Sequence, residues 1–383
     1  MFKMEMDIIR KIDRNVGIPL CYLLGFFNGK AKKDTKVKKI LMIKFSGFGN
    51  IVLALPSIRA VKKKYPNSKI VFLTHTINKS IIEKDPVVDK IITFDVNDMK
   101  ETLKDIFKLI SKLRKERFDV VLDFEQFSRF SSLISYLSGA KTKVGFKTDK
   151  QGRHYLYNIQ VLYNDEQHTS KTFSDIVNAM NAEVDYKDTK IYITKEDKLK
   201  VSKFFEDNSI KKNDLLIGIH PGCGINNPKR KWPKEKFAKL ADFLVEDYNA
   251  KIFFTGSNSE KELIKEIQKM MKNKSIDTSG VFNLRELPEV ISRCRLFFSN
   301  DTGPLHLASA MKVPVGCFFG PNTPKLYGPL GDNNLIFYKE MDCSPCTTNF
   351  NEKKTNCSHF NCMKTIELDE VINKIKESKL LEK

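Results

Sequence analysis

Residues Lys39 to Pro66 read KILMIKFSGFGNIVLALPSIRAVKKKYP, and the order of features inside this stretch decides the fold. Lys39 to Phe45 is an apolar run of strand length that stops at Ser46-Gly47-Phe48-Gly49-Asn50. From Ile51 to Tyr65, apolar residues recur at helical spacing through Val52, Leu55, Ile58 and Val61. Strand, glycine turn and helix in this order open a parallel β-α unit. Working outward, Ile70–Thr74, Ile91–Phe94 and Asp119–Phe124 have the same apolar character, and Met99–Arg117 reads as a helix. The alternation blurs between Gly145 and Ile193.

A second series begins with a charged helix at Lys195–Asn208 and a strand at Leu215–His220. Helices follow at Lys234–Tyr248, Ser259–Met271, Leu284–Arg293, Pro304–Met311 and Leu368–Ser378. Strands are expected at Lys251–Thr255, Leu296–Ser299 and Val315–Phe319. The class is therefore α/β, and 383 residues suit two such domains at roughly 150 residues each. The expected limits are an N-terminal extension at 1–37, a first domain at 38–194 and a second at 195–383. Each half opens with a strand running into a glycine-rich turn. In parallel sheets, ligands bind beyond the carboxyl ends of the strands.

Composition narrows the function classes. With 41% hydrophobic residues the chain can build cores, which excludes a disordered or fibrous protein. Lys and Arg total 66 against 47 Asp and Glu, a net +19 that favours anionic partners. No basic motif interleaved with aromatics accompanies that charge, so nucleic acid is not expected as a partner. Eight cysteines are too sparse for a disulfide-stapled secreted scaffold. Val16 to Phe27, VGIPLCYLLGFF, is too short to span a bilayer, and Glu5, Asp7 and Asp13 do not suit a signal peptide. Residues 1–39 carry ten Lys or Arg and four Asp or Glu. A short apolar wedge among cations reads as an anchor lying on an anionic membrane; the alternative is a helix packed on the body.

Three segments could carry chemistry. Ser46, Gly47 and Gly49 stand where a helix N-terminus offers free N–H groups to an anion. His220 to Phe237, HPGCGINNPKRKWPKEKF, joins a Gly222-Cys223-Gly224 turn to the cations Lys229, Arg230 and Lys231. Trp232, the single tryptophan, is expected to pack that loop onto its domain. Ser299 to Pro314, SNDTGPLHLASAMKVP, gathers Asp301, Thr302, Gly303 and His306 at a helix mouth, a setting for sugar hydroxyls and phosphate oxygens. A fourth segment, 343–362, places Cys343, Cys346, Cys357 and Cys362 at spacings that could hold a structural zinc, the other reading being packed thiols or disulfides.

In this order and separation the three segments resemble glycosyltransferase family 9, the ADP-heptose:lipopolysaccharide heptosyltransferase-like enzymes. The most specific parts are KRKWP and NDTGPLHLASA; LPSIRAVKKKYP, DVVLDFEQ, VGF at Val144, TGSNSEKE and FFGPNTPKLYGPLG support them. The resemblance implies a GT-B fold of two Rossmann-like domains facing a central cleft, and an inverting transfer that requires no metal cofactor. It implies an ADP-heptose-like donor, a lipopolysaccharide or other lipid-linked glycan acceptor, and work at the cytoplasmic face of the plasma membrane. Carried over, Gly222, Cys223, Gly224 and Lys231 would meet the donor pyrophosphate and Glu260 the nucleoside, with Gly256 also among the donor-binding residues. Asp301, Thr302, Gly303 and His306 would meet the sugar and phosphates.

One position departs from the pattern. The family's first motif usually ends Gly-Asp, and that aspartate is its expected general base. Here the residue is Asn50, a neutral amide that cannot take a proton. A carboxylate appears instead at Glu125, near Asp123, so the base is expected to have moved to Glu125, with Asp123 or a histidine as substitutes. The alternative is a catalytically inactive nucleotide-sugar-binding homologue.

Overall fold

The computed structural model describes residues 2–31, 36–95, 99–224, 228–351 and 355–382. By its contacts the chain divides between Asp188 and Thr189, so residues 189–194 go with the second unit and the N-terminal segment with the first.

The first unit starts with helices α1 (Phe2–Asn15) and α2 (Gly17–Gly25). Six strands follow: β1 (Lys39–Ile43), β2 (Lys69–Thr74), β3 (Lys90–Thr93), β4 (Val120–Asp123), β5 (Thr142–Lys147) and β6 (Ile159–Leu162). All pair in parallel, in the order β3-β2-β1-β4-β5-β6. Helix α3 (Phe48–Lys64) leaves the turn after β1. Ile40 to Ile43 of β1 are wholly buried, because crossover helices cover both faces of a parallel sheet. Leu41, Ile43, Val71, Leu73 and Val121 form one core with Leu109 and Leu113 of helix Met99–Glu116. Each such side chain stabilises the unit by about 1.5–3 kcal/mol relative to exposure. The stretch that looked irregular continues the alternation through β5, β6 and helix Thr169–Asn178. Its pattern is weak because β6 is a half-exposed edge strand.

The second unit repeats the plan with β7 (Leu216–His220), β8 (Lys251–Phe254), β9 (Ile276–Asp277), β10 (Leu296–Asn300), β11 (Val315–Phe319) and β12 (Leu335–Tyr338). Their order is β12-β11-β10-β7-β8-β9, again parallel. Trp232 is buried as expected, stacking on Phe318 at 4.2 Å and donating from Nε1 to the Ile366 carbonyl at 3.0 Å. In both sheets the chain winds outward, returns to the middle and then winds the other way. The reversals lie between β1 and β4 and between β7 and β10. There the neighbouring loops diverge and leave a crevice at the carboxyl ends of the strands.

The N-terminal helices are part of the first unit. Asp13 accepts from the Phe130 N–H at 2.8 Å and from the Arg129 N–H at 3.2 Å, so it caps helix Arg129–Leu137 from outside that helix. Gly17 and Gly25 permit close approach, because a Cβ on either would meet Arg129 at 2.8 Å or Tyr155 at 2.6 Å. Away from that contact, Ile8, Ile12, Val16, Leu20, Leu23, Phe26 and Phe27 are exposed, Phe26 at 87% and Phe27 at 74%. Among the described residues, no helix is long and apolar enough to cross a membrane.

Candidate active site

At the β1–β4 crevice the turn after β1 is held by a carboxylate from across the reversal. Glu125 Oε1 accepts from Lys44 Nζ at 2.9 Å, from the Phe45 N–H at 2.7 Å and from the Ser46 N–H at 3.0 Å. Both charged side chains are buried, Lys44 at 1% and Glu125 at 6% exposure. Burial works to raise the Glu125 carboxyl, but the Lys44 charge and these bonds outweigh it and hold it below the usual value. Three donors on Oε1 of an acidified, buried carboxylate anchor the turn, and a carboxylate held below its usual pKa is a weaker base.

Asp123 is further from that role. It is fully buried, with Oδ1 taken by the Glu125 N–H at 2.9 Å. Its Oδ2 is taken by Tyr157 Oη at 2.5 Å, Arg153 Nη2 at 3.1 Å and Ser135 Oγ at 3.4 Å. Arg153, itself buried, also donates to the Glu125 carbonyl. The expectation that Asp123 substitutes as a base gives way to a structural anchor, since no oxygen is left to face a substrate. Asn50 sits in the first turn of α3 with its amide 3.5 Å from the Ser46 carbonyl. Gly47 holds φ +72° at the tip, and Gly49 is buried in the same helical turn. The Ser46 N–H belongs to Glu125, so the turn has one free donor fewer than its sequence suggests.

At the β7–β10 crevice the expected residues do gather. Asn300, at the end of β10, donates from Nδ2 to the carbonyls of Pro221 at 2.9 Å and Gly222 at 3.2 Å. Its Oδ1 accepts the Trp232 N–H at 3.0 Å, so one buried amide ties the glycine turn to the basic loop. Glu260 Oε1 accepts the Gly224 N–H at 3.1 Å, while Oε2 accepts from the Ser257 N–H and Oγ, each at 2.9 Å. A Cβ on Gly222 would lie 1.9 Å from Glu260 Oε1, which explains the glycine. Glu260 therefore braces this turn with both oxygens, Oε2 through two donors and Oε1 through one. Gly256, after β8, accepts the Gly280 N–H at 2.9 Å. Burial lowers the His220 imidazole against the pull of Glu260. Burial also pushes the Cys223 thiol up to about 11 despite Lys231 and Arg230, so it remains a thiol.

The three cations of the basic loop part company. Lys229 Nζ donates to the Thr355 carbonyl at 2.7 Å and the Cys357 carbonyl at 2.8 Å, pinning the cysteine-rich segment. Arg230 is nine-tenths buried and pairs through Nη1 with Asp301 Oδ2 at 3.0 Å. Its Nε and Nη2 are buried and meet no acceptor among the described residues. Lys231 is half-buried and near enough to act on the Cys223 thiol. Asp301 Oδ2 also accepts from Asn322 Nδ2 at 2.9 Å, so this carboxylate aims Arg230. Thr302 N-caps helix Gly303–Ala310 without a side-chain cap bond; its hydroxyl turns to Ser299 Oγ at 3.2 Å. The first-turn amides of that helix keep their capacity for an anion. His306 is buried inside the same helix. A guanidinium with two unmet donors, a braced glycine turn and a helix N-terminus at one crevice can bind a pyrophosphate.

Sequence reasoning passed over Asn300, Lys44 and Arg153, and selected Lys231 where Arg230 is the buried, aimed cation. In the segment 343–362 all four cysteines are free. Burial, and then the nearby thiols of Cys346, Cys357 and Cys343, push Cys362 up to about 11. Among the described residues, no three His, Cys, Asp or Glu side chains are arranged to hold a metal ion.

Comparison with known proteins points the same way. The model of the family described as glycosyltransferase family 9 (heptosyltransferase) matches residues 106–356. A lipooligosaccharide heptosyltransferase 2 of Campylobacter jejuni subsp. jejuni serotype O:6 is 28% identical over 334 residues, 86% of this chain and 95% of that protein. The crystal structure of a glycosyl transferase family 9 protein from Veillonella parvula superposes with a TM-score of 0.75 at 21% identity, covering 91% of this chain and 98% of that one. The E. coli ADP-heptose lps heptosyltransferase II superposes with a TM-score of 0.72 at 19% identity, covering 90% and 98%. At these identities the likeness shows the fold, which is GT-B.

Proposed function

The chain belongs to glycosyltransferase family 9, and on that premise we propose that it is an inverting heptosyltransferase, using an ADP-heptose-like donor and a lipid-linked lipopolysaccharide-core acceptor. Donor binding is assigned to the β7–β10 crevice. The backbone of Gly222, Cys223 and Gly224, the Arg230 guanidinium, Lys231 and the amides after Thr302 would hold the pyrophosphate. Glu260, Asn300 and Asp301 keep those groups in place, while Gly256, Gly303 and His306 line the donor side. As the bond to the sugar breaks, charge builds on the leaving phosphate, and fixed donors stabilise it without reorganising. The observation that carries the reading is the buried Arg230, aimed by Asp301 with two nitrogens unmet. No metal is needed for this role.

The acceptor side belongs to the first unit. We place the protein on an anionic membrane surface at the cytoplasmic face, supported by the exposed stripe from Ile8 to Phe27 and by the cations among it. The test is a melting-temperature panel with ADP, ADP-heptose, UDP-glucose and GDP-mannose, because a ligand that binds only the folded state raises the melting point. ADP and ADP-heptose should stabilise the wild type and fail with Arg230→Ala. Stabilisation by UDP-glucose alone would overturn the donor assignment.

A further inference from the structure

Asn50 leaves the transfer without its expected base; Asp123 is enclosed with both oxygens bonded, and Glu125, buried against Lys44 and held below its usual pKa, is a poor proton acceptor. A histidine beside the glycine turn stands at the same end of the same sheet. His75 follows β2, the strand beside β1, and its ring lies 5.3 Å from that of Phe45 in the glycine turn. Asn78 pins the two loops together, donating from Nδ2 to the Phe45 carbonyl at 2.7 Å and to Thr74 Oγ1 at 3.1 Å. His75 Nδ1 is 2.7 Å from the Phe94 carbonyl and 3.3 Å from Asp95 Oδ1. Asp95, just beyond β3, is fixed in turn by the Thr76 N–H at 3.0 Å. A carbonyl has no proton to give, so Nδ1 carries the hydrogen and Nε2 is the basic nitrogen. The His75 side chain is 34% exposed and that of Asp95 37%, against 0% for Asp123. A carboxylate that fixes the tautomer and supports the imidazolium is the arrangement general-base histidines use.

We propose that His75, positioned by Asp95, is the general base of the transfer in place of Asn50. The inference rests on the glycosyltransferase reading above. The acceptor hydroxyl oxygen forms a bond to the anomeric carbon while its proton passes to His75 Nε2. The bond from that carbon to the phosphate oxygen breaks, its electron pair leaves with ADP, and the imidazolium returns its proton to water. Electrons and protons balance with no further reactant.

The test uses the full chain with ADP-heptose and a heptose-deficient lipid-linked core acceptor. His75→Gln keeps an amide that can donate to the Phe94 carbonyl but cannot take a proton. Its kcat should fall roughly 10²- to 10⁴-fold, with the ADP-heptose melting shift unchanged. Added imidazole, or Asn50→Asp on the His75→Gln background, should recover at least tenfold of the loss. Asp95→Asn, which leaves the ring in place, should lower kcat with KM unchanged. A His75→Gln protein within tenfold of wild type overturns the proposal, as does a loss that neither imidazole nor Asn50→Asp repairs. Those results leave the family reading standing. A wild-type chain that binds ADP-heptose but transfers nothing overturns the proposal too, and one that does not bind it overturns the donor assignment as well.

Discussion

Glu125→Gln separates an anchoring carboxylate from a catalytic one. The substitution leaves the Lys44 ammonium, 1% exposed, without its counter-charge. Breaking a buried ion pair from one side costs about 3–5 kcal/mol, because the remaining charge stays desolvated. The first unit ends at Asp188, and for 150–250 residues each kcal/mol moves the melting temperature by about 2–4 °C. The first transition should therefore fall by about 6–20 °C. The double variant Glu125→Gln, Lys44→Met should recover at least half of that drop, since it removes the stranded charge. The acid side supplies a second check. The folded Glu125 carboxyl lies below its unfolded value of about 4.3, so its contribution is complete above that pH and is lost as pH falls through the folded value. The gap between wild type and Glu125→Gln should therefore close in acid. Calorimetry of the full chain from pH 7 to pH 3 measures both effects. A Glu125→Gln protein that melts within 2 °C of wild type yet transfers sugar at least 100-fold more slowly would refute this account and make Glu125 the base.

Arg230→Ala should weaken ADP-heptose binding by roughly 10- to 150-fold, the cost of one charge-assisted contact of about 1.5–3 kcal/mol, and Lys231→Ala by less; titration calorimetry ranks them. Asn300→Ala strands the Trp232 N–H and two carbonyls, so the second unit should lose at least about 3 kcal/mol and melt at least about 6 °C lower, read by calorimetry. Phe26→Ser with Phe27→Ser should abolish co-sedimentation with anionic vesicles without lowering the melting temperature, because neither ring is buried. Deleting residues 1–36 is a poorer test, since it also removes the Asp13 cap on helix Arg129–Leu137.

The sheets were legible because a strand buried on both faces must be a continuous apolar run, and Lys39–Ile43 and Leu216–His220 are such runs ending in glycine turns. Short or edge strands such as β6, β9 and β12 were not, since two to four half-buried residues carry no period. Of the sites, the sequence located the loops but not the roles within them. KRKWP shows three cations, yet only packing assigns Lys229 to two carbonyls, Arg230 to Asp301 and Lys231 to a half-exposed place. DFEQ shows two carboxylates at a strand end, but their partners Lys44, Arg153 and Tyr157 come from distant parts of the chain. His75 stood alone in the sequence because Asp95, twenty residues on, becomes its neighbour only when β2 and β3 pair. The apolar wedge at Val16–Phe27 was readable, whereas its glycines as contact points needed Arg129 and Tyr155 in place.

The most direct test of the central claim is mass spectrometry of a heptose-deficient lipid-linked core after incubation with the purified chain and ADP-heptose, with ADP release followed in parallel. The account predicts a mass gain of one heptosyl residue per acceptor, one ADP per heptose moved, and a roughly 10- to 150-fold slowing of both with Arg230→Ala at sub-saturating donor. An acceptor left unchanged by ADP-heptose but glycosylated from a uridine- or guanosine-diphosphate sugar would contradict it.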